Sequence, residues 1–139
     1  MLLHIVARGK IGRSPEAELV ERYMKRIQWP TKLTELPDRG GKMPDPAAQQ
    51  RTILLDETGR TLNSMEFADM LGGWRDDGVR DLVFLIGGAV GLAEEMRKRA
   101  DMVLSLGKQT WPHQLVPALL AEQLYRGHAI LTGHPYHRV

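Results

Sequence analysis

Three short turns and a tail hold the residues whose types and spacing could do chemistry. Leu82 to Leu92 reads LVFLIGGAVGL, an apolar run that breaks abruptly into a glycine-rich turn. Polar residues precede it and a helix-like run follows, so the pattern predicts a buried strand, a turn and a helix. Gly87, Gly88 and Gly91 would let a ligand lie against bare backbone, although alone they make no more than a tight turn. Two other turns compare with it: Leu55 to Gly59, after the run TILLD, and Gly107 to His113, GKQTWPH. In a parallel sheet all three leave from one edge and can converge on one ligand. They offer backbone amides, carbonyls and apolar walls, which suits an adenosine-sized group better than a triphosphate. GGAVG is not G-x-G-x-x-G, and no G-x-x-x-x-G-K-[ST] occurs, so neither nucleotide fingerprint is supported.

The tail, from Ala129 to Val139, contains His134, Pro135, Tyr136, His137 and Arg138 in one run. His137 is a candidate proton acceptor near neutral pH; Tyr136 and Arg138 beside it could stack on a base and neutralise charge. A frayed, solvated end is the alternative. His113, His128, His134 and His137 lack the i, i+4 pairing of a helical zinc motif and no carboxylates cluster with them, so no metal is expected. His4 reads as a satisfied core or edge histidine.

The elements that must position these residues alternate in type. Leu2 to Ala7 predicts an opening strand, followed by a basic turn from Lys10 to Arg13. Ser14-Pro15-Glu16 starts a helix: Ser14 caps free N–H groups, Pro15 suits the first position and Glu16 favours the positive end. That helix should run to about Arg26, with Leu19, Val20, Tyr23 and Ile27 as its apolar stripe. Lys32 to Leu36 is the second strand, and Pro37 to Gln50 a loop with Arg39 and Lys42 at its tip. Thr52 to Asp56 is the third strand, ended by Glu57-Thr58-Gly59. Asn63 and Glu66 fit a capping box that opens a helix ending near Asp77-Gly78. Leu82 to Ile86 is strand four, Leu92 to Arg99 a helix and Met102 to Leu106 strand five. A long amphipathic helix then spans about Gln114 to Gly127, with Leu115, Leu119, Leu120 and Leu124 on a face that is core or dimer interface. Strands alternating with helices predict an α/β fold with a mainly parallel sheet flanked by helices.

Composition bounds the rest. A chain of 139 residues suits one domain, residues 1–139, and 42% hydrophobic with 26% charged residues is ordinary for a globular protein. No apolar run approaches the ~18 residues of a membrane span, and the start does not resemble a secretory signal, so a cytoplasmic protein is expected. The absence of cysteine removes disulfides, thiolate metal sites and cysteine nucleophiles together. A net charge of +2 is a weak footprint for binding nucleic acid by bulk electrostatics.

LIGGAVGL, the spacing to LSLGKQTWPHQLV, then LAEQLYRGHAI and the ending GHPYHR closely resemble the RlmH family of SPOUT-class methyltransferases. The resemblance is densest from Leu82 to Arg138 and covers the whole chain more loosely. It implies S-adenosylmethionine-dependent methylation of N3 of a pseudouridine in 23S rRNA, on assembled ribosomes. It further implies a C-terminal trefoil knot and a homodimer with the last helix in its interface. Cofactor contacts carry over to Leu55, Gly88 and the loop Leu106, Gly107, Lys108, Gln109, Thr110 and Trp111. Tyr136, His137 and Arg138, with Arg126, match positions expected near the methyl acceptor; His137 is the candidate base, with Arg138 or Arg126 stabilising charge on the uracil ring. No metal is implied.

Two departures stand out. The family often has a proline and an acidic residue where this chain has Ala89 and Val90, and it usually places a helix between strands two and three, where Pro37 to Gln50 is shorter. Two other functions stay open on the residues alone: a ribosome-binding factor that kept the fold without catalysis, and a SPOUT enzyme acting on another RNA.

Overall fold

The computed structural model describes residues 1–37, 43, 45–87 and 93–138. Nine elements follow in order: β1 (Leu2–Arg8), α1 (Pro15–Arg26), β2 (Thr31–Leu36), β3 (Gln50–Thr61), α2 (Ser64–Asp76), β4 (Asp81–Ile86), α3 (Ala93–Arg99), β5 (Met102–Ser105) and α4 (Val116–Thr132). The strands form one sheet in the order β2-β1-β4-β3-β5. Every pairing is parallel, with Ala7 opposite Ile86 and Leu55 opposite both Ile86 and Leu104. The alternation of element types in the sequence foretold this class of sheet.

Both faces of the sheet are covered, which is why β4 reads as a continuous apolar run. On one face Leu3, Ile5, Ile53, Phe84 and Leu104 pack with Val20, Phe67, Leu71, Leu120 and Leu124 from α1, α2 and α4. On the other, Val6, Leu54, Val83 and Leu85 pack with Met96 of α3 and with Met43. Met43 shows that the short connection from β2 to β3 contributes a buried side chain to that face. Among the described residues of this connection, 37, 43 and 45–49, there is no helix.

Local capping follows the sequence. Ser14 accepts the Ala17 amide at 3.1 Å, and Asn63 and Glu66 complete the capping box reciprocally at 2.8 and 2.9 Å.

Two boundaries, the end of the third strand and the end of the last helix, fall well beyond expectation, each past a glycine. Glu57-Thr58-Gly59 does not end the third strand. The chain makes an excursion after Leu55 and pairs again with β5, Arg60 opposite Leu104 and Thr61 opposite Ser105. Gly59 permits this because a Cβ there would lie 2.7 Å from the Val103 carbonyl carbon and oxygen. The last helix begins at Val116 and runs past Gly127 to Thr132; Gly127 is an interior position pressed on α2, where a Cβ would meet Leu71 Cδ1 at 2.8 Å. Gly133, with φ of 75°, makes the actual stop. Strand five also ends one residue early, at Ser105.

Two histidines are structural. His4 Nε2 lies 2.7 Å from Thr34 Oγ1, bridging β1 to the edge strand β2, and buried His128 meets the Trp29 ring edge to face at 5.1 Å. Burial lowers the pKa of both below the ordinary 6.5; Lys32 adds to the effect at His4, and His134 at His128. The unfolded chain therefore binds more protons, so their contribution is complete above about pH 6.5 and is lost as pH falls through the lowered folded values. Urea midpoints should be lower at pH 5.5 than at pH 7.5. An identical midpoint at both would contradict the buried neutral state.

Candidate functional site

The loops after β3 and β5 meet the end of β4, through Gly87, at the carboxyl edge of the sheet around a cleft of about 490 Å³. Its walls are Leu55, Asp56 and Glu57 from the first, Ile86 and Gly87 from the second, and Leu106, Gly107, Gln109, Thr110, Trp111 and His113 from the third. Six sequence-identified cofactor residues thus line one cleft: Leu55, Leu106, Gly107, Gln109, Thr110 and Trp111. Lys108 belongs to the same loop but is not in the wall. Gly88 lies outside the described residues.

Polar contacts shape this cleft. Arg97, in the last turn of α3, donates to Asp56 Oδ2 at 2.6 Å and to Thr58 Oγ1 at 2.7 Å, and the Thr58 hydroxyl donates to the same carboxylate. Burial of Asp56 opposes ionisation, but the Thr58 bonds and then Arg97 outweigh it and hold the carboxyl below its usual range. Asp56 is therefore a fixed anion that braces the β3 excursion. Across the mouth, Thr110 Oγ1 donates to Glu57 Oε2 at 2.8 Å, tying the loop after β5 to the excursion. Trp111 is 38% exposed, a large apolar surface left at the site.

The tail residues gather on α4, away from this cleft. Glu122 is their centre. Its Oε1 accepts Arg126 Nε at 2.9 Å, Arg126 Nη2 at 2.6 Å and the Tyr136 hydroxyl at 3.2 Å; its Oε2 accepts Gln123 Nε2 at 2.9 Å. Arg126 also stacks over the Tyr136 ring at 4.8 Å and donates from Nη1 to His137 Nδ1 at 3.1 Å. Arginine only donates, so Nδ1 is the acceptor and a neutral His137 carries its proton on Nε2. The Glu122 hydrogen bonds raise the pKa of Arg126, and burial, then Tyr23 and Glu122, push that of Tyr136 up to about 12. Arg138 is exposed beyond this cluster.

Arg126, Tyr136 and His137 are thus brought together, while none of them lines the cofactor-sized cleft of their own chain. A second cavity of about 440 Å³ shares Leu106, Gly107 and Trp111 with the first and reaches Glu122 and Gln123. Glu122 was not singled out from the sequence, although its i, i+4 spacing to Arg126 on a helix was a readable signal. Asp56, Glu57 and Arg97 were missed as well; only the fold puts α3 beside the excursion. Among the described residues no group of three or more His, Cys, Asp or Glu is placed to hold a metal.

A family model described as a predicted SPOUT methyltransferase matches residues 1–137. The ribosomal RNA large subunit methyltransferase H of Novosphingobium aromaticivorans is 61% identical over 139 residues, covering 99% of each chain. The protein of the same name from Cereibacter sphaeroides is 47% identical over 158 aligned positions covering all of both. The compact length is therefore shared with the first of these relatives, while the second alignment is longer. Among solved structures, the SpoU methyltransferase AviRb of Streptomyces viridochromogenes, in complex with the cofactor AdoMet, superposes with a TM-score of 0.54 at 12% identity. The match takes in 96% of this chain and 61% of that one, and it supports the fold. A parallel sheet with a cleft at its carboxyl edge, a family match over nearly the whole chain and relatives at this identity place the protein in the RlmH family of SPOUT methyltransferases.

Proposed function

We propose that the protein transfers the methyl group of S-adenosylmethionine to N3 of a pseudouridine in 23S rRNA of assembled ribosomes, acting in the cytoplasm as a homodimer. The observation that carries this reading is the cleft built by the loops after β3 and β5 with the end of β4 at Gly87, in a chain whose relatives are named rRNA large subunit methyltransferases. The cleft's volume lies within the usual range for cofactor sites, of roughly 300–1,000 Å³. Its apolar and backbone walls suit an adenosine, and Glu57 suits a cation; among the described residues no cluster of basic groups for phosphates lines it. The residues present fit S-adenosylmethionine.

When bound, the cofactor supplies an activated methyl group on a cationic sulfur, so alignment with the acceptor nitrogen provides much of the acceleration. Leu55, Leu106 and Trp111 wall it in, and the Thr110–Glu57 bond holds the mouth. N3 must lose its proton, and His137 accepts it at Nδ1 once Arg126 Nη1 withdraws. Arg126 stays oriented by Glu122 and faces the negative charge developing on the ring. That Arg126, Tyr136 and His137 do not line the cleft of their own chain supports a dimer in which one copy's tail serves the other copy's cofactor, with the knotted C-terminal segment bringing α4 into the interface. Sedimentation equilibrium should give twice the mass of the chain.

The test is methyl transfer from labelled S-adenosylmethionine to ribosomes lacking the modification, beside isolated subunits and naked rRNA, with the modified base mapped by mass spectrometry. Label confined to N3 of the pseudouridine on assembled ribosomes is expected. Cofactor binding without transfer would point to another RNA, and no binding to a factor without catalysis. A companion variant addresses the cleft itself: Gly107 has φ of 123°, a conformation L side chains rarely adopt, and it lines the wall. Gly107→Val should reduce S-adenosylmethionine affinity at least tenfold in calorimetry; unchanged affinity would remove this loop from the site.

A further inference from the structure

We propose that the loop joining β1 to α1 is the RNA-phosphate contact of the enzyme, with Lys10 and Arg13 as its charged groups; this rests on the reading that the substrate is rRNA. The segment Gly9-Lys10-Ile11-Gly12-Arg13 carries two bases in five residues, with no acid before Glu16, in a chain whose net charge is only +2. Bulk charge cannot attract a polyanion strongly here. A local cluster must do so.

Its place in the fold fits that role. β1 lies beside β4 with Ala7 opposite Ile86, so the chain leaving β1 starts level with Gly87 in the cleft wall. α1 packs on the face of the sheet that also carries α2 and α4, whereas Met96 of α3, which follows β4, packs on the other. Adjacent strands whose connections depart to opposite faces frame the crevice where open α/β sheets take ligands. The basic loop borders that crevice on the side away from β3.

The loop is held in shape while its charges remain free to solvent. The Gly9 amide donates to the Leu36 carbonyl at 2.8 Å, Ser14 Oγ donates to the Ile11 carbonyl at 2.9 Å, and the Ile11 side chain is buried. Between these anchors Lys10, Gly12 and Arg13 are exposed. Charge is also divided along the edge: on the β3 side of the cleft Asp56 is paired with Arg97, and Glu57, bonded to the neutral Thr110 hydroxyl, is the acid that repels a polyanion and favours a cation. RNA is steered to the β1 side and the cationic cofactor to the β3 side, so both can occupy one edge at once.

The test is the double variant Lys10→Glu with Arg13→Glu, beside Lys10→Arg with Arg13→Lys, using ribosomes that lack the modification. Calorimetry with S-adenosylmethionine should give wild-type affinity for both variants. Ribosome binding by the charge-reversed protein should weaken at least tenfold, and the slope of log affinity against log salt should shrink by about two, roughly one per lost phosphate contact. The charge-conserving protein should bind as wild type does. Wild-type binding and slope in the charge-reversed protein would overturn the proposal, as would a parallel loss of cofactor affinity, which would assign the loop to the cofactor site. If wild-type protein itself transfers no methyl to rRNA, the functional reading fails; if it does and the reversed variant matches it, only this surface fails.

Discussion

Alanine in place of His137 is expected to slow methyl transfer by ~10²-fold or more while S-adenosylmethionine affinity stays at its wild-type value. The expectation follows from elimination within the α4 cluster. Glu122 has both carboxylate oxygens occupied by Arg126, Tyr136 and Gln123, so it has no ready site for a proton from the substrate. Tyr136, with its pKa pushed up to about 12, stays protonated at neutral pH and is no base. Arg126 is a permanent cation. His137 is the remaining side chain of the cluster with a nitrogen lone pair for the proton, and the contact to be displaced at Nδ1 is the 3.1 Å bond from Arg126. Glu122→Gln should lower the rate less than His137→Ala does, because it loosens Arg126 without removing the acceptor. A His137→Ala enzyme with undiminished rate and an unaltered pH profile would exclude His137 as the base.

Gly59→Ala should cost about 2–3 kcal/mol of stability, the upper part of the usual range for forcing extra atoms into a packed site. The added Cβ would stand 2.7 Å from the carbonyl carbon and oxygen of Val103 and 2.8 Å from that of Leu104. Those are backbone atoms of β5, which cannot swing aside as a side-chain tip can. Relief requires parting β3 from β5, and β5 carries the loop that forms one wall of the cleft. Cofactor affinity should therefore fall with stability. Gly73 supplies the control: it lies in α2 with nothing within 4 Å of a built Cβ. Gly73→Ala should be neutral or stabilising by up to about 1 kcal/mol, since glycine is the poorer helix former. Urea unfolding of the two proteins measures both effects. Equal midpoints would show that β5 is not seated against Gly59 as described.

The convergence of loops in one cleft was legible before any coordinates, because three apolar runs each ending in a turn imply one edge once the strands are parallel. The tail was legible as chemistry but not as a place. Tyr136, His137 and Arg126 are together only because α4 carries Glu122 one turn before Arg126, and the chain after Gly133 folds back onto that helix. Placing the tail against its own helix, and apart from its own cleft, is a fact of packing that spacing along the chain does not contain.

The sequence by itself determined the type and order of the elements, the parallel sheet, the caps of α1 and α2 and six of the residues in the cleft wall. These are written in near neighbours: a hydroxyl three residues before an amide, a continuous apolar run, a glycine where an apolar run stops. Tertiary structure alone decided that β3 continues beyond Gly59, that Gly127 lies inside a helix and that Arg97 braces Asp56. At each of these positions the deciding partner is a different element, Val103 for Gly59, Leu71 for Gly127 and α3 for Asp56. A glycine that reads as a stop becomes a contact when another backbone or side chain needs the space a Cβ would fill.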